Sequence, residues 1–475
     1  MRFYYLLLIG LVFSCNQEKT KLIAENTPAK THTKKPNIII ILTDDQGWAD
    51  VGFNGCTDIP TPNLDKMAAE GVIFSNGYVS HPYCSPSRAG IMTGRYQARF
   101  GHDCNMPYNH EENDNTVGTP LSEKMISEAL KEQGYTTSAI GKWHLGDHPD
   151  LYPPAQGYDH WFGFAGGGMN YWGTAKDQIH MIFRNNKPVP ENELSYLTDD
   201  FTNEAIDYID KNDEKPFFMY LAYNAPHSPD HATEQYLEQT KHIEYADRSV
   251  YGAMVNGVDY GVGRIDSTLV AKGIKDNTIV VFLSDNGGRK EHADNRPNRG
   301  HKGMIFEGGI KVPFFIRWPE GIKANQTYDK PIISLDIFPT LLNAAGGDAS
   351  KETQLEGKDL LPYIKNENPN KPHDVLFWRS VGGFEYAVRK GKYKLYKSAY
   401  KNKLMLFDLE KDSFERHDIA DNNPEIIDML NKTYKEWDAK NMDPQWFDPH
   451  GKNVIKEEKK LQDARRNSLN PKLKK

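Results

Sequence analysis

Cysteine is scarce in this chain: Cys15, Cys56, Cys84 and Cys104 are the only four among 475 residues. No two stand at C-x-x-C spacing, which argues against a structural zinc site. Positive charge is not in excess either. Lys and Arg total 58 against 65 Asp and Glu, a formal net charge of −7. An acidic chain has no general electrostatic reason to bind nucleic acid, so any attraction for an anionic substrate must come from a few placed cations or a metal. Long apolar runs are missing too. The N-terminal run Phe3 to Phe13 is about half of the roughly 20 residues a membrane span needs, which excludes a polytopic membrane protein. What is present is a globular balance, with 38% hydrophobic, 26% charged and 11% aromatic residues. The length leaves room for two or three domains, or for one large α/β domain with an appendage.

The N-terminus reads as an address. Arg2, the short apolar run and Ser14 make a signal peptide over residues 1–14. Val12-Phe13-Ser14-Cys15 resembles a bacterial lipobox, with Cys15 as the lipidated first residue of the mature chain. Residues 15–35 are polar and lack periodicity, as a tether should. The expectation is an exported protein, lipid-anchored to the bacterial outer membrane on its surface or periplasmic face, and otherwise periplasmic. With Cys15 lipidated and Cys84 committed to chemistry, Cys56 and Cys104 are the pair that an exported chain could join. Whether they are within reach is not legible in sequence.

Beyond the tether, continuous apolar β-rich runs recur: Asn37 to Thr43, Thr136 to Ile140, Pro216 to Ala222, Thr278 to Ser284 and Val312 to Trp318. Runs apolar on both faces predict strands buried between helix layers. Helical patterns lie between them at Asn63 to Glu70, Leu121 to Gln133, Thr198 to Asn212 and about Tyr245 to Lys272. This alternation predicts an α/β fold with a large, mostly parallel sheet sandwiched by helices, over residues 36–370. Past Lys371 the segments shorten. Glu385 to Tyr396, with a hairpin turn at R-K-G-K, and a helix from Pro424 to Lys440 predict a small C-terminal α+β subdomain with an antiparallel sheet over residues 371–475.

In such sheets ligands gather at the carboxyl ends of the strands. The first strand ends in Asp44-Asp45, the Thr278 strand in Asp285-Asn286-Gly287-Gly288, the Thr136 strand in Gly141-Lys142-Trp143-His144, and the Pro216 strand runs into Asn224-Ala225-Pro226-His227. One Asp after a strand is usually a cap; four chemically equipped strand ends are hard to explain as caps. Asp44, Asp45, Asp285 and Asn286 offer oxygen only, as Ca²⁺ or Mg²⁺ prefers, and no H-E-x-x-H favours zinc. Cys84-Ser85-Pro86-Ser87-Arg88 reads as a helix start, with Ser85 as N-cap and Pro86 at the first helical position. Cys84 then lies where free N–H groups favour an anion, with Arg88 one turn along.

C-S-P-S-R-A-G-I-M-T-G, starting at Cys84, resembles the signature of the formylglycine-dependent sulfatases of the alkaline-phosphatase superfamily. Gly134 to His144 resembles that family's second signature. D-D-Q-G-W-A-D-V-G from Asp44, T-P-N-L-D from Thr61, S-D-N-G-G from Ser284 and the K-G-x-x-x-E-G-G-x-K-V-P stretch from Lys302 to Pro313 follow the family's order. The likeness covers about Lys35 to Lys440. Lys311, where the last motif more often has Arg, is a peripheral departure.

The resemblance implies an alkaline-phosphatase-like fold and a sulfatase. It implies that Cys84 is converted to formylglycine by a maturation enzyme, and that Asp44, Asp45, Asp285, Asn286 and residue 84 ligate one Ca²⁺. The aldehyde hydrate would be the nucleophile, oriented by Arg88 and His144. Lys142 and Lys302 would grip sulfate oxygens, and His227 would protonate the leaving alcohol. A gem-diol suits the task because its second hydroxyl can drive release of sulfate. The expected substrate is a sulfated glycan, either algal (ulvan or carrageenan) or a glycosaminoglycan. Candidate contacts are His102, Asn105, Tyr171, Trp172, Arg289, His292 and Arg299. Two other readings stand beside this one: a phosphodiesterase or phosphonate monoester hydrolase of the same superfamily, and a catalytically dead, lipid-anchored glycan-binding protein. The second is disfavoured because Cys84, Arg88, Lys142, His144, His227 and Lys302 are all present.

Overall fold

The computed structural model describes residue 1 and residues 35–107, 115–173, 181–212, 214–398 and 403–446. The signal-peptide, lipobox and tether readings of the N-terminus therefore fall outside the described residues, apart from Met1 and Lys35. The strands are β1 (Asn37–Thr43), β2 (Val72–Phe74), β3 (Gly77–Tyr78), β4 (Thr136–Lys142), β5 (His160–Phe164), β6 (Phe183–Arg184), β7 (Lys187–Pro188), β8 (Phe217–Ala222), β9 (Thr278–Ser284), β10 (Phe314–Arg317), β11 (Gln326–Tyr328), β12 (Ile332–Ile333), β13 (Val375–Ser380), β14 (Glu385–Lys390), β15 (Tyr393–Lys397) and β16 (Leu404–Asp408).

Ten of them form one sheet in the order β11-β2-β10-β9-β1-β8-β4-β5-β6-β7. The centre, β9-β1-β8-β4-β5, is parallel. The short β6 and β7 add antiparallel pairs at one edge. The expected Val312 to Trp318 strand narrows to β10, which runs antiparallel to β9.

The apolar runs are continuous because alternate residues feed two cores. Ile38, Ile40 and Leu42 enter one, with the helices Cys84–Thr93, Ile126–Glu132 and Ile337–Ala344. Ile39 and Ile41 enter the other, with Pro62–Ala69, Leu197–Lys211 and Ala246–Ala271. Each fully buried Ile or Leu contributes about 1.5–3 kcal/mol, so a β1 apolar on one face only would leave one helix layer without a partner.

The four-stranded antiparallel sheet β13-β14-β15-β16 sends Trp378, Val388, Leu395 and Leu406 into the first core, as does the helix Pro424–Asp438 through Leu430 and Tyr434. The hairpin turn falls at Gly391-Lys392, between β14 and β15.

Two helix starts differ from expectation. The helix expected from Leu121 begins at Ile126, because the Glu128 carboxylate accepts a 2.8 Å hydrogen bond from Met125 N and pins the first turn there. The helix of the cysteine motif begins at Cys84 itself, with Tyr83 as its N-cap. Ser85 is no cap. Its hydroxyl lies 2.6 Å from His102 Nε2 and donates to His144 O at 2.7 Å.

No disulfide joins Cys56 and Cys104. Cys104 packs with Met106, Val117 and Trp446, whereas Cys56 lies beside the separate cluster of Ile59, Tyr251 and Val255. Among the described residues no helix is long and apolar enough to cross a membrane.

Candidate active site

The carboxyl ends of β1, β9, β4 and β8 meet the N-terminus of the Cys84 helix. Asp45 (φ 65°) and His144 (φ 57°) hold left-handed backbone just past β1 and β4. For residues other than glycine that conformation is strained, and it persists where surrounding structure enforces it. Gly167 is needed beside His144, because a Cβ there would come within 2.6 Å of Nε2.

Cys84 Sγ lies 3.4 Å from Asp44 Oδ1, 3.9 Å from Asp45 Oδ1 and 3.2 Å from Lys302 Nζ. Lys142 Nζ donates to Asp44 Oδ2 at 2.5 Å and Lys302 Nζ to Asp45 Oδ2 at 2.8 Å. Arg88 is buried. Its Nε donates to Asp285 Oδ2 at 2.9 Å, and Nη1 donates to Lys142 O at 2.9 Å and to Tyr220 OH at 3.4 Å. Asn286 Nδ2 donates to Asp45 Oδ1 at 2.7 Å. His227 Nε2 stands 3.7 Å from Asp45 Oδ2, with Nδ1 2.7 Å from Ser228 O. A cavity of about 440 Å³ opens over Cys84, bounded by Asp45, His144, His227, Arg289 and Lys302 among others.

Three buried carboxylates, Asp44, Asp45 and Asp285, thus face three cations, Arg88, Lys142 and Lys302. Burial and the nearby Asp44 charge push Asp285 up to about 6. Asp45 goes the other way: against the upward push of burial, Lys302 and His227 hold it below the usual carboxylate range. Burial raises the Cys84 thiol above its ordinary value despite Lys142 and Lys302. A buried, protonated thiol is a poor nucleophile. Burial, then Lys302, takes His227 down to about 3, and burial with Lys142 and Arg88 lowers His144 as well.

The donor set fits a hard cation. Asn286 Oδ1 is buried with no hydrogen-bond partner, an oxygen left over among three carboxylates, as a cation ligand would be. Among the described residues, Asp44, Asp45, Cys84 and His227 offer possible ligand atoms that all lie within 4.8 Å of one another; Asp285 adjoins them, its Oδ1 accepting from Asp45 N at 3.3 Å and its Oδ2 from Arg88 Nε at 2.9 Å.

All ten residues proposed for catalysis or metal binding converge here. The proposed substrate contacts divide. Asn105 and Arg289 border the cavity; Asn105 Oδ1 accepts from Ser85 N at 3.1 Å, and Arg289 is paired with Asp230. His102 is buried between Ser85 and Trp446. Tyr171 is buried too, its hydroxyl donating to Asn224 O and His227 O, so it braces the His227 turn from behind. His292 pairs with Asp230, Arg299 donates to Glu415 O, and Trp172 is exposed. Tyr83, Ser228 and His301 line the cavity without having stood out in the sequence. Tyr220, which steadies Arg88, sits inside an apolar strand and reads there as core.

A cluster of buried carboxylates that fits a hard cation, a cysteine at a helix N-terminus and converging Lys, Arg and His are the equipment of a hydrolase for anionic esters on an α/β scaffold. Residues 36–347 match the family model described as Sulfatase, and residues 300–441 the one described as N-sulphoglucosamine sulphohydrolase, C-terminal. The chain belongs to the sulfatase family and is a sulfuric ester hydrolase. In particular, it is similar to the N-acetylgalactosamine-6-sulfatase of Mus musculus, at 37% identity over 76% of this chain and 71% of that protein. It is also similar to the uncharacterised sulfatase YdeN of Escherichia coli (strain K12), at 31% identity over 86% and 87%. Among solved structures it resembles Ps i-CgsB in complex with k-i-k-neocarrahexaose, with a TM-score of 0.82 and 36% identity over 93% of this chain and 98% of that one.

Proposed function

We propose that this sulfatase removes sulfate esters from sulfated polysaccharides or oligosaccharides, through a formylglycine formed from Cys84 by a maturation enzyme. The observation that carries the reading is the placement of Cys84: at a helix N-terminus, 3.2 Å from Lys302 Nζ and 3.4 Å from Asp44. A glycan substrate is supported by the relative named for N-acetylgalactosamine 6-sulfate and by the neocarrahexaose complex of the structural neighbour. Carrageenan or ulvan of algae and glycosaminoglycans fit this class. Asp44, Asp45, Asp285, Asn286 and residue 84 would hold one Ca²⁺, which would neutralise charge on the sulfate oxygens. Formylglycine would supply the nucleophilic oxygen.

The chain's own residues do the rest. Lys142 and Lys302 stabilise the nonbridging oxygens from a water-poor site, where fixed charges are worth most. Arg88, held by Asp285, keeps its charge beside residue 84. His144 borders the same cavity and orients the nucleophile. His227, its Nδ1 turned to Ser228 O, presents Nε2 to the cavity and would pass a proton to the leaving alcohol; an anionic ester alongside raises its proton affinity.

We further propose that residues 1–14 direct export and that Cys15 carries lipid, anchoring the enzyme to the outer membrane where polymeric substrates are met. Peptide mass spectrometry of active protein tests the central claim. The expected result is an aldehyde at residue 84, together with activity that is lost on exhaustive chelation and restored by Ca²⁺. Full activity from protein carrying only cysteine at position 84 would sink the reading.

A further inference from the structure

A second cavity, of about 790 Å³, shares no lining residue with the one over Cys84. It is lined by Trp48, Asn76 and Lys311, from loops of the catalytic part, and by Arg389 of β14 and Lys392 of the turn after it. Its volume suits a sugar or two, within the roughly 300–1,000 Å³ of small-molecule sites.

The charges of its floor do not balance. Lys394, fully buried and outside the lining, already bridges Glu307, which lines the cavity, at 2.9 Å and Glu415, which does not, at 2.8 Å. Glu307 also accepts from Tyr78 OH at 2.5 Å, and Glu415 from Glu307 N at 2.7 Å. Lys311 and Arg389 are left over. Lys311 Nζ donates only to the neutral Asn76 Oδ1, at 3.1 Å. Arg389 donates to Tyr78 OH and Gly391 O. Neither has a carboxylate within ion-pair distance among the described residues. Burial presses the Lys311 ammonium below its usual value; Glu307 pulls it back up in part, and Arg389 and Lys394 add to the downward push.

The rim differs. Lys330, Lys371 and Lys392 are each paired, with Asp329, Asp374 and Asp408 at 3.1–3.2 Å. Beside the two uncompensated cations stands Trp48. Its ring lies 5.5 Å from Lys311 Nζ, and its buried indole N–H has no hydrogen-bond partner. A guanidinium, an ammonium and a free indole donor around an aromatic wall suit an oxyanion carried on a sugar ring: the ring's C–H face lies on the indole and its sulfate meets the cations.

We propose that this cleft is a second, non-catalytic binding site for a sulfated sugar of the polymer, holding the chain while the Cys84 site works elsewhere along it. The sugar class rests on the function proposed above; the anion preference rests on the floor alone.

Isothermal titration of a carrageenan hexasaccharide into protein carrying Cys84→Ser, which cannot turn over, tests it. Two binding events per chain are expected. Lys302→Ala should weaken one, and Lys311→Gln or Trp48→Ala should weaken the other by about tenfold or more, as loss of a charge-assisted contact predicts. The desulfated hexasaccharide should lose both. Arg389→Gln is a further probe, and the Lys311 and Trp48 variants carry the test if that protein fails to fold. One binding event or none, or two that ignore both Lys311→Gln and Trp48→Ala, overturns the proposal. A matured enzyme that fails to desulfate the same oligosaccharide would count against the proposed function, leaving the binding result to be judged separately.

Discussion

At the scale of single residues, the proposed mechanism divides labour between groups that would hold the sulfate and one that would serve the leaving oxygen. Lys302 Nζ lies 3.2 Å from Cys84 Sγ, whereas His227 borders the cavity with Nε2 3.7 Å from Asp45 Oδ2. A sugar alkoxide leaves poorly without a proton and a nitrophenolate leaves readily. General acids contribute about 10²–10⁴-fold to such steps. His227→Ala is therefore expected to lower kcat/KM for a sulfated sugar about a hundredfold more than for an aryl sulfate, while Lys302→Ala lowers both alike. Taking the ratio of the two losses cancels any shared fall in folding or maturation. Equal losses for His227→Ala would remove it from the acid role. His227 was legible because it follows a strand end, whereas Lys302, in a long loop, was legible only through the motif resemblance. Tyr171 and Tyr220 were not, since a tyrosine that braces a turn or a guanidinium looks in sequence like any core aromatic.

At the scale of elements, the strand ends work because the strands approach one another without side chains in the way. Gly141 in β4 has φ 99°, and a Cβ there would lie 1.9 Å from Ala222 O in β8. Gly141→Ala would force β4 and β8 apart where they carry Lys142 and lead to His227. The expected cost is about 3 kcal/mol or more, from left-handed backbone plus a backbone clash. Denaturant unfolding would register it, and an Ala variant as stable as the parent would mean that the strands have slack. The start of the Cys84 helix was misread for a related reason. Ser-Pro is a strong capping signal locally, but Ser85 is drawn into contacts with His102 and His144 O, groups 17 and 59 residues away. Long-range hydrogen bonds outweighed a local preference.

At the scale of the whole molecule, the C-terminal sheet is joined to the catalytic part by apolar packing and by buried ion pairs, among them Arg379 of β13 with Asp103 at 3.0 Å and a network centred on Lys394. Lys394 of β15 bridges Glu307, five residues beyond Lys302, and Glu415, with all three side chains buried. Removing the cation would leave two buried carboxylates facing each other. Lys394→Ala is expected to destabilise the protein by about 3–5 kcal/mol, the range for a broken buried pair. The loss should appear as a lower midpoint in urea unfolding. A change below about 1 kcal/mol would place the network's worth at that of a surface pair.

By itself the sequence determined the layered α/β architecture, since five strands apolar on both faces can be buried only between two helix layers. It also determined which groups the strand ends carry, because carboxylate and amide oxygens, a cysteine and cations are properties of residue type in a fixed order along the chain. Tertiary structure decided which neighbours those residues meet. It buried His102 and Tyr171 as supports, carried Asn105 and Arg289 to the cavity, set Cys56 and Cys104 in separate clusters, and opened beside the C-terminal sheet a cleft whose cations come from Lys311 and Arg389. Such pairings span long stretches of chain and depend on packing, for which local patterns of hydrophobicity and capping carry no signal.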